Sequence, residues 1–197
     1  YFFGDSDQSF PLGLAGGNNL PNTNTFTPTR VQLLSLSYVH LPSPTKVIEI
    51  RFGWNRFAEG FFADDRDVFG NPASTLGLNT GVSNPRDFGL PVLRVSGFAS
   101  LGSSPFSNPR GRVDTNWHVL ENFSWKTGSH DFKSGFEFRR TSVAAFIDVD
   151  FRSRLNFTGD ATGDPLGDFL GGFLSFGDVL SGDTQRGTFQ NSWAGYI

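Results

Sequence analysis

The chain has 197 residues and a formal net charge of −3; only 18% of its residues are charged, while 15% are aromatic, including 23 Phe. It contains no cysteine and three separated histidines, which excludes disulfides and thiolate sites and makes a histidine-based zinc site improbable. No basic stripe is present, so we expect no nucleic-acid partner.

The chain also contains no methionine, begins at Tyr1 and ends at Ile197 inside an alternating segment. We therefore expect an internal fragment of a longer protein. No run of 18 apolar residues occurs, which argues against a transmembrane helix. Strands of a membrane barrel alternate between apolar and polar residues and would not produce such a run.

The first half of the chain predicts one hairpin between two irregular segments. Residues 1–29, rich in Gly, Asn, Pro and Thr, predict a loop. Residues 31–57 predict a hairpin, because two alternating runs flank a turn with two prolines at 41–45. The apolar positions of the second run are Ile48, Ile50, Phe52 and Trp54. Residues 58–112 predict a long loop with one short β segment at 91–98.

The second half predicts another hairpin, over 116–143, around a short turn at 126–130. A further strand is expected over 145–157. A short helix is expected over 164–176, because Asp164 followed by Pro165 is typical of a helix start. The last segment, 187–197, predicts a truncated strand. Together these segments predict an all-β chain forming part of an antiparallel transmembrane barrel, with about six strands in meander hairpins and long extracellular loops.

Three features favour a membrane barrel over a soluble β-sandwich. The connections alternate between short turns and long polar stretches, as in bacterial outer-membrane barrels. Aromatic residues occupy strand ends, and Trp117 and Trp125 have the same parity, about 20 Å apart in height at a 40° tilt, close to the spacing of aromatic girdles. The polar strand faces carry both signs of charge, which we weight least because a solvated sandwich face does so too.

Glu121 does not fit this pattern, because its parity places a carboxylate on the apolar face. We expect either a bulge between Leu120 and Asn122 or a position nearer the membrane rim.

Catalytic and metal-binding patterns are absent from the sequence. Neither a nucleophile elbow nor a phosphate-binding glycine loop is present, so we expect no enzyme, catalytic residue or cofactor. Acidic clusters occur at 64–67 and 148–150 and at Asp160, Asp164 and Asp168, but none has the spacing of a calcium loop. We interpret them as solvated loop charge and expect no metal.

Several segments from residue 31 onward, in order, resemble one family. They include Glu49–Phe57, Glu121–His130, Lys133–Arg140, Asp168–Gly172 and Asn191–Ile197. They are similar to barrel strands of TonB-dependent outer-membrane transporters of the Oar-like type. The resemblance implies a barrel of about 22 strands around a separate plug. It also implies a bacterial outer-membrane location, contact with lipid and lipopolysaccharide and, for the parent protein only, the TonB complex.

The predicted function is therefore part of a barrel that takes up an unidentified solute. The alternative is a secreted β-sandwich module that binds carbohydrate or mediates adhesion. The two differ in whether Ile48 and Phe52 are packed between two sheets. The candidate solute-contacting residues are those with lumen parity: Glu49, Arg51, Asn55, His118, Lys133, Glu137 and Arg139.

Overall fold

The computed structural model describes residues 1–10, 24–102 and 109–197. Its main feature is a six-stranded antiparallel sheet. In spatial order, its strands are β1 Phe2–Phe10, β2 Thr25–Ser43, β3 Lys46–Ala63, β5 Arg110–Thr127, β6 His130–Ile147 and β9 Arg186–Tyr196. Strands β1 and β9 lie at the two edges, so the described sheet is open, as a partial barrel should be.

The strands run further than the alternation predicted. Residues 2–10 were predicted as loop but form β1, which pairs with β2 from Phe2 opposite Leu33 to Phe10 opposite Thr25. Residues 25–29, also predicted as loop, belong to β2, and residues 58–63 and 110–112 belong to strands rather than to the predicted long loop. Backbone pairing, which needs no apolar face, extends these strands. The predicted loop residues 11–23 lie outside the described residues.

The segment between β3 and β5 contains short elements instead of a structureless loop. These are α1 Asp65–Phe69, α2 Pro72–Thr75, a 3₁₀ turn Pro85–Asp87 and β4 Val92–Val95, which matches the short β segment predicted at 91–98. Asn71 and Asn84 accept hydrogen bonds from the backbone N–H of Ala73 and Arg86, so each caps the turn that follows it.

The strand predicted over 145–157 is in fact two strands. Strand β6 ends at Ile147, and β7, Arg154–Phe157, belongs to a second sheet in the order β4-β7-β8, where β8 is Phe176–Asp178. Asp150 and Ser153 have φ values of 59° and 69°, a left-handed backbone that interrupts the extended ladder between the two strands.

The helix predicted over 164–176 is α3, Pro165–Gly171, and begins as expected. The Asp164 side chain accepts a hydrogen bond from the backbone N–H of Gly167, and Gly172 ends the helix with a φ of 72°. Among the described residues, none of the helices has the length and apolar character that a membrane span requires.

The hydrophobic core is small and, apart from Ala63 at the end of β3, lies outside the large sheet. Of the described hydrophobic residues, the buried ones are Ala63, Val92, Val95 and Phe157. The second sheet packs against α3 and is not stacked face to face on the six-stranded sheet. Ile48 and Phe52 are therefore not enclosed between two sheets, which contradicts the β-sandwich alternative.

Candidate functional site

The strand register brings the seven predicted polar residues to one face of the sheet. Directly opposed residues in an antiparallel pair project to the same side. Glu49 opposes Asn122, Arg51 opposes Leu120, and Leu120 opposes Glu137 on the next strand. His118 opposes Arg139, Asn55 opposes Asn116, and Ser124 opposes Lys133. We call this side the polar face.

One group of polar-face side chains crosses four strands. Nε of Arg51 donates to Oε1 of Glu49 at 2.8 Å, and Asn122 donates to the other Glu49 oxygen at 3.2 Å. The Tyr196 hydroxyl donates to Asn122 Oδ1 at 3.0 Å. Gly135 lies between these strands, and a Cβ there would fall 2.4 Å from the Tyr196 ring. Its missing side chain lets Tyr196 reach across β6.

A second group on the same face is centred on Glu137. Nη2 of Arg139 donates to Oε1 of Glu137 at 2.8 Å, and Nε2 of His118 lies 3.0 Å from the same oxygen. The imidazole contact is an ion pair only when His118 is protonated, and it is not aligned as a hydrogen bond. The Arg139 side chain remains 54% exposed. Its guanidinium can therefore bind a solute without breaking a buried contact.

The opposite side, which we call the apolar face, carries the large hydrophobic residues. Trp54 and Trp117 rings pair at 6.0 Å, Phe138 and Trp193 at 4.2 Å, and Trp125 and Phe132 at 5.7 Å nearer the short turns. Trp117, Trp125, Phe132 and Phe136 are all exposed. An exposed and largely apolar surface on one side of a sheet is what contact with hydrocarbon requires.

Glu121 lies within this apolar face. The register runs without interruption from Lys46 opposite Trp125 to Phe61 opposite Arg110, so the expected bulge is absent. Glu121 opposes Ile50 and Phe136 and is four residues from both Trp117 and Trp125. It is therefore in the middle of the apolar band, and the expected position near the rim is also wrong.

Three of the loop carboxylates interpreted as solvated are buried, whereas Asp67, Asp160 and Asp164 are exposed as expected. Asp65, Asp148 and Asp168 are at most 1% exposed. Asp65 accepts from Nη1 of the buried Arg152 at 2.7 Å and from the backbone N–H of Leu90 at 3.0 Å. Asp148 accepts from Nη2 of Arg86 at 3.0 Å. The charges of Asp65 and Asp148 are satisfied by partners from other loops, which sequence spacing alone cannot reveal.

Asp87 is a buried carboxylate that the sequence analysis missed. It is 1% exposed, and its two oxygens have no hydrogen-bond partner in the described part of the chain. Burial, and next the neighbouring Asp148 carboxyl, raise the pKa of Asp87 to about 7. Asp87 also feels the positive charges of Arg86 and Arg152, which act in the opposite direction.

Two other loop carboxylates have lowered pKa values. Burial acts to raise the pKa of Asp168, but hydrogen bonds from the Thr162 hydroxyl and from the backbone N–H groups of Thr162 and Ala161 outweigh it and lower the pKa. The Arg154 guanidinium, which donates to Asp178 at 2.6 Å and 3.0 Å, lowers the pKa of Asp178. Both carboxylates hold loop structure together.

No group of three or more potential metal ligands occurs among the described residues. In the acidic cluster at 64–67, the Asp65 carboxylate is paired with Arg152. It is therefore not available to bind a metal ion together with Asp64 and Asp67.

The chain was also compared with known proteins. Neither the curated proteins nor the solved structures contain a match. The family model described as "outer membrane beta barrel domain" matches residues 1–197, the whole chain. This match agrees with an open antiparallel sheet that is apolar on one face and polar on the other. The chain therefore belongs to the outer membrane beta barrel domain family and is located in the bacterial outer membrane.

Proposed function

We propose that this chain forms part of the barrel wall of a TonB-dependent outer-membrane transporter, whose polar face lines the lumen and contacts an unidentified solute. The observation that carries the proposal is the division of one sheet into two faces. The apolar face suits lipid, and the opposite face carries two connected groups of charged and hydrogen-bonding side chains. The ordered resemblance of the strands to Oar-like transporters supports the choice of transporter class.

The dimensions of the strands fit a large barrel with high walls. Strand β5 has 18 residues, which at about 3.3 Å per residue and a tilt of about 40° gives roughly 45 Å of height. That is well above the roughly 25 Å apolar band of an outer-membrane barrel. The upper part of the wall therefore stands clear of the hydrocarbon and supports the loops around an entrance. The proposal assigns no catalytic step to the wall.

Energy-coupled uptake is tested in cells that make the full-length protein. Solutes removed from a complex medium are measured by mass spectrometry, for cells with and without the gene and with and without a protonophore. We expect one class of solute whose uptake is lost in both cases, because TonB coupling requires the proton gradient. Gene-dependent uptake that survives the protonophore would indicate a passive pore instead.

The assignment of the two faces is tested separately with spin labels. This chain has no native cysteine, so a single cysteine introduced by Leu36→Cys or Ser37→Cys can carry the label. The two positions are neighbours on opposite faces of β2, and any cysteine elsewhere in the full-length protein is replaced first. We expect the label at position 36 to be accessible to oxygen in lipid, and the label at 37 to a water-soluble nickel chelate. The same relaxing agent reaching both labels would contradict a wall between lipid and water.

A further inference from the structure

We propose that Arg30, Arg56 and Arg140 form a belt on the lipid side of the wall that binds the phosphate groups of lipopolysaccharide. All three occupy apolar-face positions, and all three come just beyond the hydrophobic band. Arg56 follows Trp54 by two residues on β3, and Arg140 is directly opposite Trp117. Arg30 opposes Ala58, which also belongs to this face.

The offset between the two short turns shows how the strands are tilted. Lys46, the first residue of β3, pairs with Trp125, but β5 continues to Thr127 before it turns. The turn at 128–129 thus lies about two residues further along the strand direction than the turn at 44–45, two strands away. With a rise of about 3.3 Å per residue, a strand spacing of about 4.8 Å and a tilt of about 40°, this stagger brings both turns to one level within about 1 Å.

The same stagger places the three arginines at nearly one level. Arg56 lies on a row with Thr115 and Ser142, and Arg140 is two residues nearer the turn, two strands away. Arg56 and Arg140 therefore coincide in height to within about 1 Å, and Arg30 is roughly 2 Å further from the turns. Arg56 is eleven residues from Thr45, or about 28 Å in height, just beyond the roughly 25 Å apolar band.

This level corresponds to the headgroups of the outer leaflet. In outer-membrane barrels the short turns are periplasmic and the long loops extracellular, so the belt is on the outer side. The lipid of that leaflet, lipopolysaccharide, carries phosphates beside its acyl chains. Guanidinium groups bind phosphate through two parallel hydrogen bonds, and the tryptophans directly below the belt are suited to the interface between acyl chains and headgroups.

Two of the three guanidinium groups lack a carboxylate partner among the described residues. Arg30 is paired with Asp5 at 2.8 Å. Arg56 donates only to the Gln32 amide oxygen, at 3.4 Å, and Arg140 lies over the Phe189 ring at 4.8 Å; neither has a carboxylate within ion-pair distance in the described part of the chain. Between β3 and β9 no acidic residue occupies this level of the apolar face. Arg56 and Arg140 are thus available to an anion.

The surface next to the belt is recessed. A cleft of about 840 Å³ is lined by Arg30, Arg56, Phe62 and Phe146 and also by the acidic residues Asp5, Glu59 and Asp183, among others. It joins two belt arginines to aromatic side chains and to the segment that precedes β9. A phosphorylated sugar headgroup, which offers phosphate to guanidinium groups and hydroxyls to carboxylates, fits this lining better than a hydrocarbon chain does.

The test uses the full-length protein purified in detergent. Binding of bisphosphorylated lipid A is measured for the wild type and for the double variant Arg56→Gln/Arg140→Gln. The matched control is Arg51→Gln/Arg139→Gln, which removes the same charge from the same two strands on the polar face. We expect the belt variant to weaken binding about tenfold or more, since hydrogen bonds between ions are strong, and the control to leave it within about twofold.

Two further arms identify the ligand. Removing the phosphates from lipid A should weaken its binding to the wild type at least as much as the belt substitutions weaken the binding of bisphosphorylated lipid A. Phosphatidylglycerol should bind the wild type at least tenfold more weakly than bisphosphorylated lipid A does. If the belt variant folds poorly, Arg56→Lys/Arg140→Lys takes its place in the test. This variant keeps both charges and should retain part of the affinity. Equal losses in the belt and control variants, or equal binding of lipid A with and without phosphate, would overturn the proposal.

Discussion

The six-stranded sheet and the loop region differ in how they treat their hydrophobic residues. The sheet has long, regular strands and, among its described hydrophobic residues, buries only Ala63. The loop region, residues 64–102 and 148–185, has short irregular elements but holds the buried Val92, Val95 and Phe157 together with buried carboxylates. A wall in lipid needs no interior because its solvent is apolar, whereas loops in water must build their own core.

The largest expected effect concerns the buried ion pair of the loop region. Asp65→Ala leaves the buried Arg152 guanidinium without its carboxylate, which should destabilise the loop fold by about 3–5 kcal/mol. Asp67→Ala, in the same helix, removes an exposed pair with Arg66 and should cost less than about 1 kcal/mol. The two substitutions are compared by hydrogen exchange of the loop amides. The resistance of the barrel to detergent shows whether the barrel itself is still folded in each variant. Equal protection in both variants would show that the loops lack a real core.

The next effect tests the sheet. Val119→Arg places a charge in the apolar band and should destabilise the barrel by about 2–4 kcal/mol in urea unfolding from vesicles. Leu120→Arg, on the neighbouring position of β5, faces the polar side and should change stability by less than about 1 kcal/mol. If the two substitutions had equal costs, the sheet would not separate lipid from water.

The raised pKa of Asp87 predicts that the stability of the loops, but not that of the sheet, depends on pH. Its pKa in the folded loops is about 7, above the roughly 3.9 of an unfolded Asp, so the folded state holds the proton more tightly. The contribution of Asp87 to loop stability is therefore greatest below about pH 4 and falls as the pH rises to about 7, by at most about 4 kcal/mol. Asp87→Asn should remove this part of the dependence and raise loop protection at pH 8, as measured by hydrogen exchange at several pH values. A wild-type profile that is flat between pH 5 and 8 would contradict the shift.

Glu121 offers a smaller effect of opposite sign. Because it is a carboxylate in the middle of the apolar face, Glu121→Leu should stabilise the barrel by about 1–2 kcal/mol in vesicles. Glu137→Leu, the control on the polar face, removes the partner of Arg139 and should not stabilise it. If Glu121→Leu lowered stability instead, the carboxylate would have a partner outside this chain.

The smallest effect on stability is expected at the polar face. Arg139→Gln breaks an exposed pair with Glu137, so the free energy of unfolding should change by less than about 1 kcal/mol. Its effect should appear in uptake instead, as an altered preference for charged solutes. A large loss of stability would make Arg139 a structural residue and weaken its assignment to solute contact.

Much of the large sheet was predictable because alternation is a local signal. The parity of Ile48, Phe52 and Trp54 against Glu49, Arg51 and Asn55 correctly assigned them to opposite faces, and the Asp164-Pro165 start of α3 was equally local. The arginine belt could have been found by extending the same parity past Trp54 and Trp117. The alternation of apolar residues alone does not reveal it, because the arginines interrupt that pattern.

The loop region could not be predicted in the same way. Asp65 is 87 residues from Arg152, and Arg86 is 62 residues from Asp148, so no spacing rule connects them. The acidic clusters therefore read as solvated charge. Only the folded loops show which carboxylates are enclosed and which remain in water.

The sequence by itself determined which side chains share a face of each strand and hence that the wall has an apolar and a polar side. A period of two residues fixes this before any strand finds its neighbour. The tertiary structure decided how long the strands are, at what level the arginines lie and which loop charges are buried. Those properties depend on register and on contacts between distant segments, which local periodicity does not encode.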